Sequence, residues 1–103
     1  MLMTTSSTSR VRSEKPQRLA KSLVSRFAEV ATTEWIAEEG RGHVTWASGA
    51  ELDMIAGDGV LLIHLVCPAA DVAQWEEAVS RGIVASGESV EWKRAGVAGG
   101  GRN

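Results

Sequence analysis

From Thr33 to Cys67 apolar residues recur at every second position, and short glycine-bearing turns interrupt them three times. That period belongs to strands with one buried and one exposed face; a helix would scatter the same residues round its circumference. Thr33, Trp35 and Ala37 alternate with Glu34, Ile36 and Glu38, and the chain then turns through Glu39-Gly40-Arg41-Gly42. Val44 and Trp46 form the next run, closed by Ser48-Gly49-Ala50. Leu52 and Met54 follow, alternating with Glu51, Asp53 and Ile55, before Gly57-Asp58-Gly59, a strong hairpin signal. Val60 to Cys67 is almost wholly apolar and marks the most buried strand, which Pro68 ends.

Helical spacing flanks this block. Leu19, Leu23, Phe27 and Val30 make one stripe in a helix expected over Ser13–Val30, with Ser13 as cap and Pro16 in its first turn. Val72, Trp75, Val79 and Ile83 make the stripe of a second helix, Asp71–Val84. Ser9–Arg12 reads as a short first strand anchored by Val11, and Ser89–Lys93 as a last one with Val90 and Trp92 on one face. The expected fold is therefore α+β: a two-layer sandwich of a mostly antiparallel sheet with two helices on one face, in the order β-α-β-β-β-β-α-β. A single domain spans 9–94. Residues 1–8, Ser/Thr-rich and without periodicity, read as a disordered leader, and 95–103, with three consecutive glycines, as a flexible tail.

No apolar run is long enough to span a bilayer, and the N-terminus lacks the pattern of a secretory signal, so a cytoplasmic protein without membrane contact is expected. The lone Cys67 has no partner for an internal disulfide, in keeping with a reducing compartment. Charge is unevenly distributed. Residues 10–30 carry six basic side chains against two acidic, and residues 31–91 carry eleven acidic against Arg41 and Arg81. The basic helix offers an adaptor surface for an anionic protein or nucleic acid. The sheet itself is a poor RNA platform, because Glu34, Glu38, Asp53 and Glu91 would repel phosphate and the tryptophans fall at core spacing, so nucleic acid is not expected as a partner of the sheet.

The chain contains no phosphate-binding loop, dinucleotide fingerprint, nucleophile elbow or paired-cysteine motif. Strand register decides what its histidines can do. If Trp46 pairs with Leu52 and Met54 with Leu61, Glu51 falls opposite His64 and His43 opposite Ile55. The two histidine rows then lie roughly 13 Å apart, too far for one metal, and Cys67 points to the other face. No metal is expected. His64 and Glu51 remain as an acid–base pair, the only candidate catalytic residues. The open face also carries Ile36, Ile55, Leu62 and Val66 beside His43 and His64, more apolar surface than solvent favours. Such a patch marks a ligand groove or an interface, including one with a second copy of the chain.

The layout resembles the bacterial family catalogued as domain of unknown function 2218. The resemblance covers about Ser9 to Lys93. It rests on Arg10-Val11, the Leu19/Leu23/Phe27 helix, Glu34-Trp35, Gly40-Arg41-Gly42, the Leu52, Ala56, Gly59 spacing, the Leu61/Ile63/Leu65 alternation, Pro68 with the helix after it, and Val90-Glu91-Trp92. It implies a compact α+β fold and no established chemistry or cofactor. It also implies association with flavin-dependent siderophore reductases, and so an accessory role in iron acquisition. Family members often carry a histidine before the aromatic residue late in the first helix, where this chain has Arg26-Phe27. The reading that results is a non-enzymatic accessory or binding domain. Its alternatives are a small enzyme on the open face and an adaptor through the basic helix.

Overall fold

The computed structural model describes residues 3–94. Six strands, β1 (Thr4–Arg12), β2 (Thr32–Ile36), β3 (Arg41–Thr45), β4 (Glu51–Ala56), β5 (Val60–Pro68) and β6 (Lys93–Arg94), form one sheet ordered β2-β3-β4-β5-β1-β6. All of its pairings are antiparallel. Helices α1 (Pro16–Phe27) and α2 (Val72–Ala85, after a 3₁₀ turn at Ala69–Asp71) pack on one face, α1 across β2 to β5 and α2 across β5 and β1. The expected class, element order and layering are therefore those of the molecule.

The core lies where the period-two pattern put it. Val44, Leu52, Met54, Leu61 and Leu65 are fully buried beneath Leu23, Val79 and Ile83. Each such side chain contributes about 1.5–3 kcal/mol by leaving water. Trp35, Trp75, Val90 and Trp92, expected in the core, lie at its margin and are only partly buried. Gly42 explains one turn motif: a Cβ there would stand 2.9 Å from Val24 Cγ2, so its absence lets α1 lie flat on β3.

Several boundaries differ from expectation, each for a local reason. Thr4–Thr8 is not a disordered leader but the first half of β1, paired residue by residue with β5 from Thr4↔Pro68 to Arg12↔Val60. Apolar alternation is missing there because small hydroxyls, Ser7 and Ser9, occupy the buried positions. Met1, Leu2 and the tail 95–103 lie outside the described residues. The first helix is shorter than its stripe: it ends at Phe27, and Val30 is 69% exposed. Ser13 is not its cap residue, although its Oγ accepts from the Lys15 N–H at 3.1 Å. The last strand is only Lys93–Arg94; Val90 and Trp92 pack from the preceding loop, where the Trp92 indole N–H donates to Ser80 Oγ at 2.8 Å.

The register also slides by two residues at both hairpins. Val44, not Trp46, pairs with Leu52, and Ile63, not Leu61, pairs with Met54. A two-residue slide keeps every side chain on its face and changes every partner. The tight turn decides it: Gly57 N–H donates to Val60 O at 2.8 Å and seats Ala56 opposite Leu61.

Candidate functional site on the open sheet face

The sheet face away from the helices is organised in rows by the ladder. One row reads Glu34, His43, Asp53, His64 and Thr8 across β2, β3, β4, β5 and β1. The next reads Ile36, Arg41, Ile55, Leu62 and Arg10 in the same order. On the other side lies Thr32, Thr45, Glu51, Val66 and Ser6. Along the strands, Glu51 thus lies in one outer row, Glu34 and Asp53 in the middle row, and Arg41 and Arg10 in the other outer row, with Ile55 and Leu62 adjacent between the two arginines.

This geometry corrects the proposed pairing. Glu51 lies opposite Val66, not His64, and the residue facing His64 is Asp53. His43 also faces Asp53 rather than Ile55, so both histidines flank one carboxylate instead of standing two rows apart. His43 Nδ1 lies 2.6 Å from Asp53 Oδ1, and its Nε2 lies 3.0 Å from Thr45 Oγ1 and 3.6 Å from Glu51 Oε1. A carboxylate only accepts, which places the Nδ1 proton toward Asp53; in the neutral ring, Nε2 then accepts from the Thr45 hydroxyl. His64 is exposed, and its side chain forms no hydrogen bond or ion pair among the described residues. Among those residues no group of three His, Cys, Asp or Glu is placed to hold a metal ion. Both nitrogens of His43 are already engaged.

Asp53 and Thr45 were absent from the candidate residues, and a correct register was the signal that would have added them. A groove of about 290 Å³ runs beside His43, lined by Glu34, Ile36, Arg41 and Asp53. Ile55 and Leu62 are 41% and 40% exposed, and Ile36 and Val66 are half-buried.

A second polar cluster lies beneath the helices. Glu76 of α2, a charged residue outside the Val72/Trp75/Val79/Ile83 stripe, is 8% exposed. Ser7 Oγ donates to its Oε2 at 2.6 Å, and Arg94 donates to both carboxylate oxygens, at 3.0 and 2.8 Å. The hydrogen bonds from Arg94, reinforced by that from Ser7, outweigh burial and hold the Glu76 carboxyl below its ordinary range. Cys67 sits in the same region: burial raises its thiol, and the charges of Asp71 and Glu76 raise it further, so it is a packing residue rather than a nucleophile. A depressed carboxyl stabilises the fold above its unfolded value, and that stability is lost as pH falls through the folded value. Urea unfolding is therefore expected to weaken on acidification below the ordinary glutamate range, and to do so less steeply in Glu76→Gln. Identical acid profiles for the two proteins would remove the Arg94–Glu76 contact from the stability of the fold.

Among the described residues no helix is long and apolar enough to cross a membrane. Neither protein-family models nor curated proteins match the sequence. Among solved structures, the chain is similar to PA4090 from Pseudomonas aeruginosa, determined by NMR. The identity is 22%, over 86% of this chain and 95% of that one, with a TM-score of 0.70. The likeness places this chain in the same α+β fold as that bacterial protein.

Proposed function

We propose that this protein is a non-enzymatic binding domain whose open sheet face is an interface, and that a second copy of the chain is what covers it. One observation carries the reading: Ile55 and Leu62, neighbours across β4 and β5, are both about two-fifths exposed, with Ile36 in the same row beyond Arg41 and Val66 farther along β5 past His64. Left wet, that patch forgoes about 25 cal/mol for each Å² of apolar surface. A two-fold axis passing beside Ile55 and Leu62 lays the apolar pair of one copy on that of the other, and symmetric two-fold dimers are the commonest oligomers. The place of such a domain in iron and siderophore handling, beside a flavin-dependent reductase, is drawn from the family resemblance.

Dilution of methyl-labelled protein tests this directly. The methyl signals of Ile36, Ile55, Leu62 and Val66 are expected to shift with concentration, while those of the buried Leu52 and Ile83 stay fixed. Concentration-independent signals from a protein that tumbles as a monomer reject the dimer. Shifts of the same methyls on adding a flavin, haem or a ferric siderophore would then assign the patch to a ligand.

The Asp53–His43–Thr45 relay favours a second reading, acyl transfer with Thr45 as nucleophile and His43 as base. Its weakness is chemical. Sheet N–H groups are committed to the ladder and leave no donors for an oxyanion, and the Glu51 carboxylate, 3.6 Å from Nε2, would repel one.

A further inference from the structure

We infer that a cleft at the head of α1 binds a small multivalent oxyanion, a compound bearing at least two phosphate or carboxylate groups. The cleft encloses about 690 Å³, within the range of about 300–1,000 Å³ usual for small-molecule sites. Its walls come from separate parts of the chain. The last residue of β1 supplies Arg12, the connector to α1 supplies Ser13 and Lys15, the first turn of α1 supplies Arg18, and the segment after α2 supplies Glu88. The connector is fixed: Ser13 N–H donates to Gly59 O at 3.1 Å, tying it to the β4–β5 hairpin, and Ser13 is 9% exposed. Its Oγ accepts from the Lys15 N–H, so the hydroxyl proton is left to donate.

Charge identifies the ligand. Arg12, Lys15 and Arg18 each form no ion pair among the described residues, although all line one cleft. Among the described residues no side chain caps α1, and no acidic residue lies in its first turn to offset the positive potential of the helix end. Glu14 and Glu88 also line the cleft and leave only a small positive excess. A lone carboxylate gains little against them. An oxyanion with two charged groups can reach all three cations at once, through the charge-assisted hydrogen bonds that make arginine and lysine effective anion ligands.

The test uses the intact, isotopically labelled protein, with inorganic pyrophosphate and citrate as separate probes for the phosphate and carboxylate arms. At least one probe is expected to produce saturable amide shifts confined to residues 12–19, 59 and 86–88. The double variant Lys15→Ala/Arg18→Ala is expected to weaken that binding by at least about tenfold. Both side chains are exposed, so the fold survives their loss. Lys21→Ala removes a charge from the same helix outside the cleft and is expected to leave binding unchanged. Absence of saturation by either probe at low-millimolar concentration overturns the inference. So does an equal loss in Lys21→Ala, which would mean diffuse charge screening, and so does binding of a single-stranded oligonucleotide in place of both probes. Lys15 and Arg18 lie at the head of α1, whose helix packs on the opposite side of the sheet from the open face, so the outcome is independent of whether that face dimerises.

Discussion

Alanine at Trp46 is expected to cost about 3–5 kcal/mol, a large share of the stability of a domain this size. The residue follows β3 and is 7% exposed. Its ring meets Phe27, the last residue of α1, edge to face at 5.0 Å, and Trp75 of α2 at 4.6 Å with planes tilted by 43°. One side chain therefore joins the sheet to both helices. Truncation removes its own burial and two aromatic contacts worth about 0.5–1.5 kcal/mol each. Trp75→Ala should cost less, because Trp75 is partly exposed and its loss leaves Phe27 packed on Trp46. Urea unfolding followed by circular dichroism measures both variants. A loss below about 1 kcal/mol for Trp46→Ala would mean that this aromatic contact does not hold the layers together.

Valine at Gly82 is expected to destabilise by about 3 kcal/mol, for the opposite reason. Here α1 packs directly against α2. A Cβ at Gly82 would stand 2.6 Å from Leu23 Cδ2 and 3.0 Å from Arg26 Cδ. Arg26 can swing into solvent, but Leu23 is fully buried and its methyl has no free space to enter. Glycine is a poor helix former, so a residue chosen for propensity alone would not be glycine. Pairing Gly82→Val with Leu23→Ala should recover part of the loss by opening room for the new methyls. Two losses that simply add would indicate that the helices do not meet at this point.

The sequence made the layers legible because burial writes a period into the chain. Leu52, Met54, Leu61, Ile63 and Leu65 all point to the core as their alternation required. It also made the apolar open face legible, since Ile55 and Leu62 alternate the other way. Register was harder to read. Alternation fixes which face a residue occupies but is unchanged by a two-residue slide, so His64 was paired with Glu51 when its neighbour is Asp53. The first half of β1 was hidden because a strand buried through Ser7 and Ser9 carries no hydrophobic signal. Glu76 was hidden for a related reason. A charged residue on a helix reads as solvent-facing unless its partners are known, and Ser7 and Arg94 lie far from it in the chain. The cleft at the head of α1 depends on the fold as a whole, although the basic excess over residues 10–30 was visible from the start.

Sedimentation equilibrium of the wild type and Leu62→Glu, at matched micromolar concentrations, tests the central claim that the open sheet face is the working interface. Leu62 is 40% exposed and lies on the face away from the helices, so a charge there should spare the core while disrupting any apolar contact across the face. The account predicts a dimeric wild type and a monomeric variant with the same circular dichroism and the same urea midpoint. A wild type that remains monomeric throughout, or a dimer that Leu62→Glu leaves intact, would contradict it.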